Sequence, residues 1–299
     1  MTRFGEVAIR ALAAYATQNN NGRIYAMLLK QENAAVDSTA VIEGITKQFL
    51  AMNLPHLADT SIYSGAPYPI LENLRNALAE QRSADEKKKF INRLKYSGIV
   101  KERTSDTFQW DNDTYPLAEP GMIERALDTG FVKLCQNLIV TGPPGTGKSL
   151  LVTIIACKAI WAGFSVKYKT AHDIATELRE AKAGNSLSGY IKKLQACDLL
   201  VIEDITFATF DARAAQSFFS AIDKRYERGK STAITSNGNI NEWAAKFPDK
   251  RMSSALLGRF YEEAIRVNMN GADDFRLKRA KGMFDIPAGG GMDALRNVV

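Results

Sequence analysis

Two textures of hydrophobic patterning divide this chain. Up to about residue 105, apolar positions recur three and four apart. "IYAMLLKQENAA" (24–35), "AVIEGITKQFLAMNL" (40–54) and "ILENLRNALAEQ" (70–81) each predict an amphipathic helix, as does the opening "MTRFGEVAIRALAAYA". "SIYSGAPYP" (61–69) predicts a loop from its glycine and two prolines. Between Arg82 and Arg103 lie eight basic and three acidic residues, with Phe90, Ile91 and Leu94 as a narrow apolar stripe. That stretch reads equally as a solvated helix face or as a contact for nucleic acid or a protein partner.

From about residue 122 the pattern changes to short apolar runs alternating with helical stretches. "NLIVT" (137–141), "SVKYKT" (165–170), "DLLVIED" (198–204), "STAITSN" (231–237) and "AIRVNM" (264–269) predict five strands. Helices are predicted from Lys148, over 171–182, over 187–196 and across "DARAAQSFFSAIDKRYERG" (211–229). The last of these sets Ala215, Phe218, Phe219, Ile222 and Tyr226 on one face and ends at Gly229. His172 falls in "TAHDIATEL", where Thr170 and Asp173 look like a helix-start box.

Buried strands separated by helices predict an α/β fold with a five-stranded parallel sheet covered on both faces. The expected organisation is a mainly helical region over 1–110, a linker over 111–121, the α/β domain over 122–284 and a loose tail over 285–299. The helical region is the expected grip for a protein partner or DNA.

Composition narrows the class. The chain has 299 residues, 45% hydrophobic and 24% charged, with a net charge of +6. That is ordinary for a globular protein, with a mild pull toward anionic partners. Cys135, Cys157 and Cys197 show no paired or metal-type spacing and read as reduced core thiols; two histidines are too few for a metal site. No apolar run approaches the roughly 20 residues that span a bilayer. The expectation is a cytoplasmic protein with no membrane segment.

The chemistry sits at the midpoint. Gly142-Pro143-Pro144-Gly145-Thr146-Gly147-Lys148-Ser149 fits G-x-x-x-x-G-K-[ST], between a predicted strand and a predicted helix that opens through Leu150. Glycines let backbone N–H groups converge on phosphates, and the helix N-terminus adds partial positive charge. Lys148 would reach the β- and γ-phosphates of ATP, and the Ser149 hydroxyl would ligate Mg²⁺.

Hydrolysis needs an acidic strand, and "LLVIED" supplies Glu203 and Asp204. One carboxylate holds the metal's water shell, assigned to Glu203, and the next orients the attacking water, assigned to Asp204. The usual order is Asp then Glu; the swap extends the first acid by one methylene and shortens the second. Asn237, at the end of the next strand, is placed to sense the γ-phosphate. Arg259 and Arg276 read either as solvated side chains or as ligands of the transferring phosphoryl group. In the second reading Arg259 serves a neighbouring subunit, with Arg251 as an alternative, and Arg276 serves the chain's own nucleotide.

Residues 90 to about 281 resemble the IstB/DnaC-like group of AAA+ ATPases, which includes helicase loaders and the ATPases of IstB-type insertion sequences. "GPPGTGKS", "KTAHDIATEL", "CDLLVIEDI", "DKRYERGKSTAITSN" and "SSALLGRF" carry the resemblance. So does the lead-in "NRLKYSGIVKERTSDTFQW". It implies an AAA+ sheet, ATP-dependent assembly of a homo-oligomer with shared ATP sites on DNA, Arg259 as the finger and Arg276 as the second sensor. Residues 1–89 are not accounted for by it.

DNA contacts, mainly to phosphates, are expected from Lys192, Lys193, Arg225, Arg228, Lys230, Lys246, Lys250, Lys278, Arg279 and Lys281. The function expected first is a replicative-helicase loader. The alternative is a transposition accessory ATPase that coats duplex DNA and recruits a transposase. A nucleotide-gated scaffold that never turns ATP over is a third reading.

Overall fold

The computed structural model describes residues 38–108, 114–119, 121–245 and 247–277. The predicted helices before residue 38 and the tail over 285–299 lie outside them, as do Lys246, Lys278, Arg279 and Lys281. The chain divides into two compact units, residues 1–89 and 90–299.

In the first unit, α1 (Thr39–Ala51) buries Val41, Ile45 and Phe49, four residues apart, as its pattern demands. The second helix, α2 (Tyr68–Ser97), starts in this unit. Its Leu71, Leu74 and Leu78 join them in one apolar cluster with Tyr63, whose ring stacks on Phe49. The predicted loop over 61–69 is shorter than expected. Residues Thr60–Tyr63 form a 3₁₀ turn capped by Asp59, and α2 already begins at Tyr68. Pro69 is no obstacle there, because first-turn N–H groups have no intrahelical acceptor.

The second unit opens with the end of α2. Phe90 is buried and stacks on Trp161 with 4.1 Å between ring centres, and Leu94 packs on the same cluster. Ile91 does not follow. It is 52% exposed, because one residue along a helix rotates the side chain by about 100°. Then come α3 (Met122–Leu127), α4 (Gly130–Lys133), β1 (Leu138–Thr141), α5 (Lys148–Trp161) and β2 (Val166–Thr170). They are followed by α6 (Ala171–Ala183), α7 (Leu187–Ala196), β3 (Leu199–Glu203) and α8 (Ala212–Glu227). The series ends with β4 (Ser231–Ser236), α9 (Ile240–Ala245), α10 (Lys250–Tyr261) and β5 (Ile265–Asn268).

The five strands form one sheet in the order β2-β3-β4-β1-β5, and every neighbouring pair is parallel. Alternate strand residues feed two cores. Leu138, Val140, Leu199, Val201, Ala233 and Ile265 face the cluster built on α5, while Ile139, Leu200, Ile202 and Ile234 face the one built on α6 to α10. Central β4 is buried throughout, whereas edge strand β5 leaves Arg266 exposed. Thr170 caps α6 by accepting from the Asp173 N–H at 3.0 Å, as the sequence pattern predicted.

The face of α8 departs from expectation. Ala215, Phe218 and Ile222 are buried, but the face continues through Arg225, three residues on, while Tyr226 is 46% exposed. Arg225 is fully buried and cannot meet DNA, so that expectation falls. Its guanidinium donates to the carbonyls of Leu194 (2.8 Å), Cys197 (2.7 Å), Asp198 (3.4 Å) and Ser231, and to Thr232 Oγ1 (3.3 Å). It thereby adds donors to carbonyls where α7 ends and where β3 and β4 begin; of these, the Asp198 carbonyl also accepts the Ser231 N–H at 3.1 Å.

Asp198 ties the same corner. It accepts from Ser165 N (2.9 Å), Ser165 Oγ (2.7 Å) and Lys230 Nζ (2.5 Å). Burial pushes its carboxyl up, but the bonds from Lys230 and Ser165 outweigh this and bring it to about 2. Cys157 and Cys197 are buried as expected, but Cys135 is exposed, held at φ +59° in the turn after α4.

Removing the Arg225 guanidinium strands several buried carbonyls at once. Arg225→Met is expected to lower the unfolding free energy by about 3–5 kcal/mol. Arg228→Ala, on the exposed side, should stay within about 0.5 kcal/mol by urea unfolding. The Asp198 contribution is present above about pH 4 and is lost as pH falls through about 2, because the folded value lies below the unfolded one. Asp198→Asn should therefore flatten the acid limb of the stability curve, read as melting temperature against pH.

Candidate nucleotide site

The parallel sheet delivers its candidate chemistry to one edge. The glycine loop leaves the C-terminal end of β1, the acids leave β3, and Asn237 follows β4, which lies between those two strands. The ladders carry into the loop: Gly142 N–H donates to Ser236 O (3.2 Å), and Met269 N–H to Thr141 O (2.7 Å).

Two glycines are required by the geometry. Gly145 has φ +85°, and a Cβ there would fall 2.0 Å from Asp274 Oδ1. Gly147, at φ +94°, caps α5, and a Cβ would meet the Tyr115 hydroxyl at 3.2 Å. The loop is held from both sides. Tyr115 Oη donates to Thr146 O (3.0 Å), and its ring stacks on Phe108. From the other side Phe275 N–H donates to Gly145 O (3.1 Å). Asp274 Oδ1 accepts the N–H groups of Arg276 (2.8 Å) and Leu277 (3.1 Å).

Lys148 is buried at the start of α5, and its Nζ donates to Pro143 O at 2.7 Å, arching over the loop. Burial lowers its pKa below the usual lysine value. The charges of Asp204 and Glu203 oppose that shift, and Arg276 adds to it. Lys148, both acids and Arg276 therefore share one electrostatic neighbourhood. Ser149, Pro143 and Pro144 are exposed beside it, and Leu150 is half-buried in the first turn.

Leu199 and Val201 face α5, so Glu203, two residues further along β3, shares that face. Its Oε2 accepts from the Tyr168 hydroxyl at 3.0 Å. Asp204 adopts a left-handed conformation (φ +53°, ψ +51°), tolerated by Asp better than by most residues. Its N–H donates to Thr235 Oγ1 (2.9 Å), and its Oδ1 accepts from Asn237 Nδ2 (3.1 Å). The turn swings the carboxylate out of the strand and ties it to Asn237.

Arg259 is elsewhere. Its carbonyl accepts from Asn137 Nδ2 (2.7 Å), just before β1 begins, so its backbone lies at the sheet edge opposite the glycine loop. Its guanidinium pairs with Asp223, donates to Ala255 O (3.0 Å) and lies over the rings of Phe219 and Tyr226. Arg251 lies in the first turn of α10, exposed. Neither joins the Lys148 cluster.

Four contributors escaped the sequence reading: Tyr115, Tyr168, Thr235 and Asp274. Each meets the site through strand pairing or chain return, and no local motif marks them.

The donor set suits a magnesium nucleotide. Among the described residues no group of three or more His, Cys, Asp and Glu could hold a metal ion by itself. One hydroxyl and one or two carboxylates match an ion that keeps several waters and takes its other ligands from phosphate oxygens.

The strand order β2-β3-β4-β1-β5, with this loop following the strand beside the β5 edge, is an AAA+ fold. Solved structures share it: a DNA replication initiation factor (22% identity, TM-score 0.50, 61% of this chain and 54% of that one) and AMPPCP-bound DnaA from Aquifex aeolicus (21%, TM-score 0.50, 62% and 55%). This chain spans about half the length of either, and at such identity the likeness is one of fold alone.

Residues 50–282 match the family described as IstB-like ATP binding protein, and the chain belongs to that family. Similar proteins include the ATP-binding protein ascribed to insertion sequence IS232 of Bacillus thuringiensis subsp. berliner (27% identity, 83% of this chain, 96% of that one). Another is that of IS21 of Pseudomonas aeruginosa (27%, 70% and 78%). A third is an insertion-sequence ATP-binding protein of Sinorhizobium fredii (30%, 69% and 68%). No described helix is long and apolar enough to cross a membrane.

The packing at Gly145 is testable without any ligand. Gly145→Ala should unseat residues 272–277, exposing them to protease. Combining it with Asp274→Ala should cost less than the sum of the two single changes, by about 1 kcal/mol or more in a double-mutant cycle.

Proposed function

We propose that this chain is the ATPase that accompanies a transposase in an IstB-type insertion sequence. ATP bound at Gly142–Leu150 would join neighbouring subunits along duplex DNA. The observation that carries the reading is the convergence of Lys148, Glu203, Asp204 and Arg276 at the mouth of the glycine loop, with Asn237 bonded to Asp204, in a chain of this family. The relatives are named for insertion sequences, whereas the replication proteins share only the fold. The comparisons therefore favour transposition over the helicase-loader reading.

The residue roles follow from position. Loop N–H groups and the start of α5 face the phosphates, and Lys148 exchanges its bond to Pro143 O for β- and γ-phosphate oxygens. Ser149 and Glu203 would hold Mg²⁺, which when bound neutralises charge on those oxygens. Asp204 orients the attacking water, and its bond to Asn237 Nδ2 is the contact through which Asn237 reports the γ-phosphate. Arg276 reaches the chain's own nucleotide.

Arg259, at the opposite sheet edge, serves a neighbour's nucleotide after leaving Asp223. Its place in the free subunit is thus consistent with action between subunits. DNA contacts would be mainly to phosphates. Lys192, Lys193 and Arg228 are exposed, as are Arg179, Lys182 and Arg213, which line a cavity of about 200 Å³ between α6 and α8.

The experiment is ATP turnover and DNA binding by the purified chain, with duplex and single-stranded DNA compared. Expected are phosphate release stimulated by duplex, abolition by Lys148→Ala, and capture of the insertion sequence's own transposase in the presence of ATP. Arg259→Ala should retain ATP binding and lose about 100-fold or more in turnover, as for an arginine supplied in trans. A preference for single strands with co-purification of a hexameric helicase would instead support the loader. ATP binding with no turnover on any DNA would support the scaffold.

A further inference from the structure

We infer that Tyr168 is the positioning residue for Glu203, fixing the longer first acid so that it can serve the metal. The inference rests on the ATPase reading above. Tyr168 lies on β2, in register with Val201 of β3 and two residues before Thr170, which is in register with Glu203. Its half-buried ring packs against the core built on α5. Its hydroxyl donates to Glu203 Oε2 at 3.0 Å.

Proton counting fixes the direction. A carboxylate only accepts, so the single Tyr168 hydroxyl proton goes to Glu203. On the other side Thr153 Oγ1 lies 2.6 Å from Ser149 O and 3.2 Å from the Tyr168 oxygen, with one proton for two acceptors. The contact chain therefore runs from the carbonyl of Ser149, through Thr153 and Tyr168, to Glu203. It couples the residue proposed to ligate the metal through its hydroxyl to the one proposed to hold the metal's water.

The need for such a tether comes from the swapped acids. Where most P-loop ATPases carry Asp first, this strand carries Glu, with one more rotatable bond. A donor on a rigid ring, from the neighbouring strand, takes one carboxylate oxygen, Oε2, and so removes the added rotational freedom of the longer side chain. A charge-assisted bond of this kind orients a metal-shell carboxylate much as second-shell partners orient direct ligands.

The test is Tyr168→Phe, which keeps the ring and removes only the hydroxyl. Binding of a fluorescent ATP analogue is measured with excess Mg²⁺ and with EDTA, alongside the Mg²⁺ concentration for half-maximal turnover. Expected is unchanged affinity in EDTA, loss of most of the Mg²⁺-dependent gain, and a half-saturating Mg²⁺ raised about tenfold. Glu203→Asp, which withdraws the carboxylate from the hydroxyl, should make Tyr168→Phe silent when the two are combined. Unchanged Mg²⁺ dependence in Tyr168→Phe, or full additivity with Glu203→Asp, overturns the assignment. A wild-type chain that binds the analogue equally with and without Mg²⁺ overturns the ATPase reading, and this assignment with it.

Discussion

The constraint on which the rest depends is the parallel pairing of β3, β4 and β1. Parallel strands put all their C-terminal ends at one edge, so whatever follows each strand emerges beside its neighbours. The register pairs Ile139 with Ile234 and Ile202 with Ile234, so all three strands finish within a residue or two of one another. That alignment lets Asn237 reach Asp204 and lets both acids act on the charge of Lys148. A slip of one residue would move Glu203 to the opposite face, away from α5.

Holding that register is expensive in polar groups at the opposite edge, and Arg225 answers it. A fully buried guanidinium costs desolvation, which shows as its lowered pKa, and it is tolerated because its donors meet buried carbonyls. With Asp198, Ser165 and Lys230 it stitches the α7 end to the starts of β3 and β4. The two ends of the sheet therefore divide the labour. One is closed by the hydrogen bonds of Arg225 and Asp198, and the other leaves an arched lysine and the exposed Ser149 hydroxyl available to a ligand.

The glycine loop is itself clamped by sequence-distant segments. Tyr115 arrives from the lead-in and Asp274 with Phe275 from beyond β5. A single methyl at Gly145 would collide with Asp274, and one at Gly147 would press on the Tyr115 hydroxyl. The return of the chain after β5 also brings Arg276 within electrostatic reach of Lys148. Arg259 is held away from this cluster by Asp223 and two aromatic rings, at the opposite sheet edge.

The sequence alone was enough for the five strands and for α5 to α8 of the second unit, because buried parallel strands and amphipathic helices write their periods directly into the residues; the short helices α3, α4 and α9 hold too few turns to show a period. The glycine loop, the acids after β3 and the Thr170 cap were legible for the same reason: each is a local pattern whose chemistry needs adjacent residues. The α8 face was misjudged because a helical period extrapolates as well to Tyr226 as to Arg225. Only the carbonyls of α7, β3 and β4 decide between them. Cys135 was placed inside on residue type and is exposed, and Ile91, grouped with Phe90 and Leu94 in one apolar stripe, turns outward in the folded chain. Tyr168, Thr235, Tyr115 and Asp274 carry no signal in their own neighbourhoods. Their partners lie 31 residues or more away along the chain, or join through strand register, and such contacts exist only once the sheet has closed.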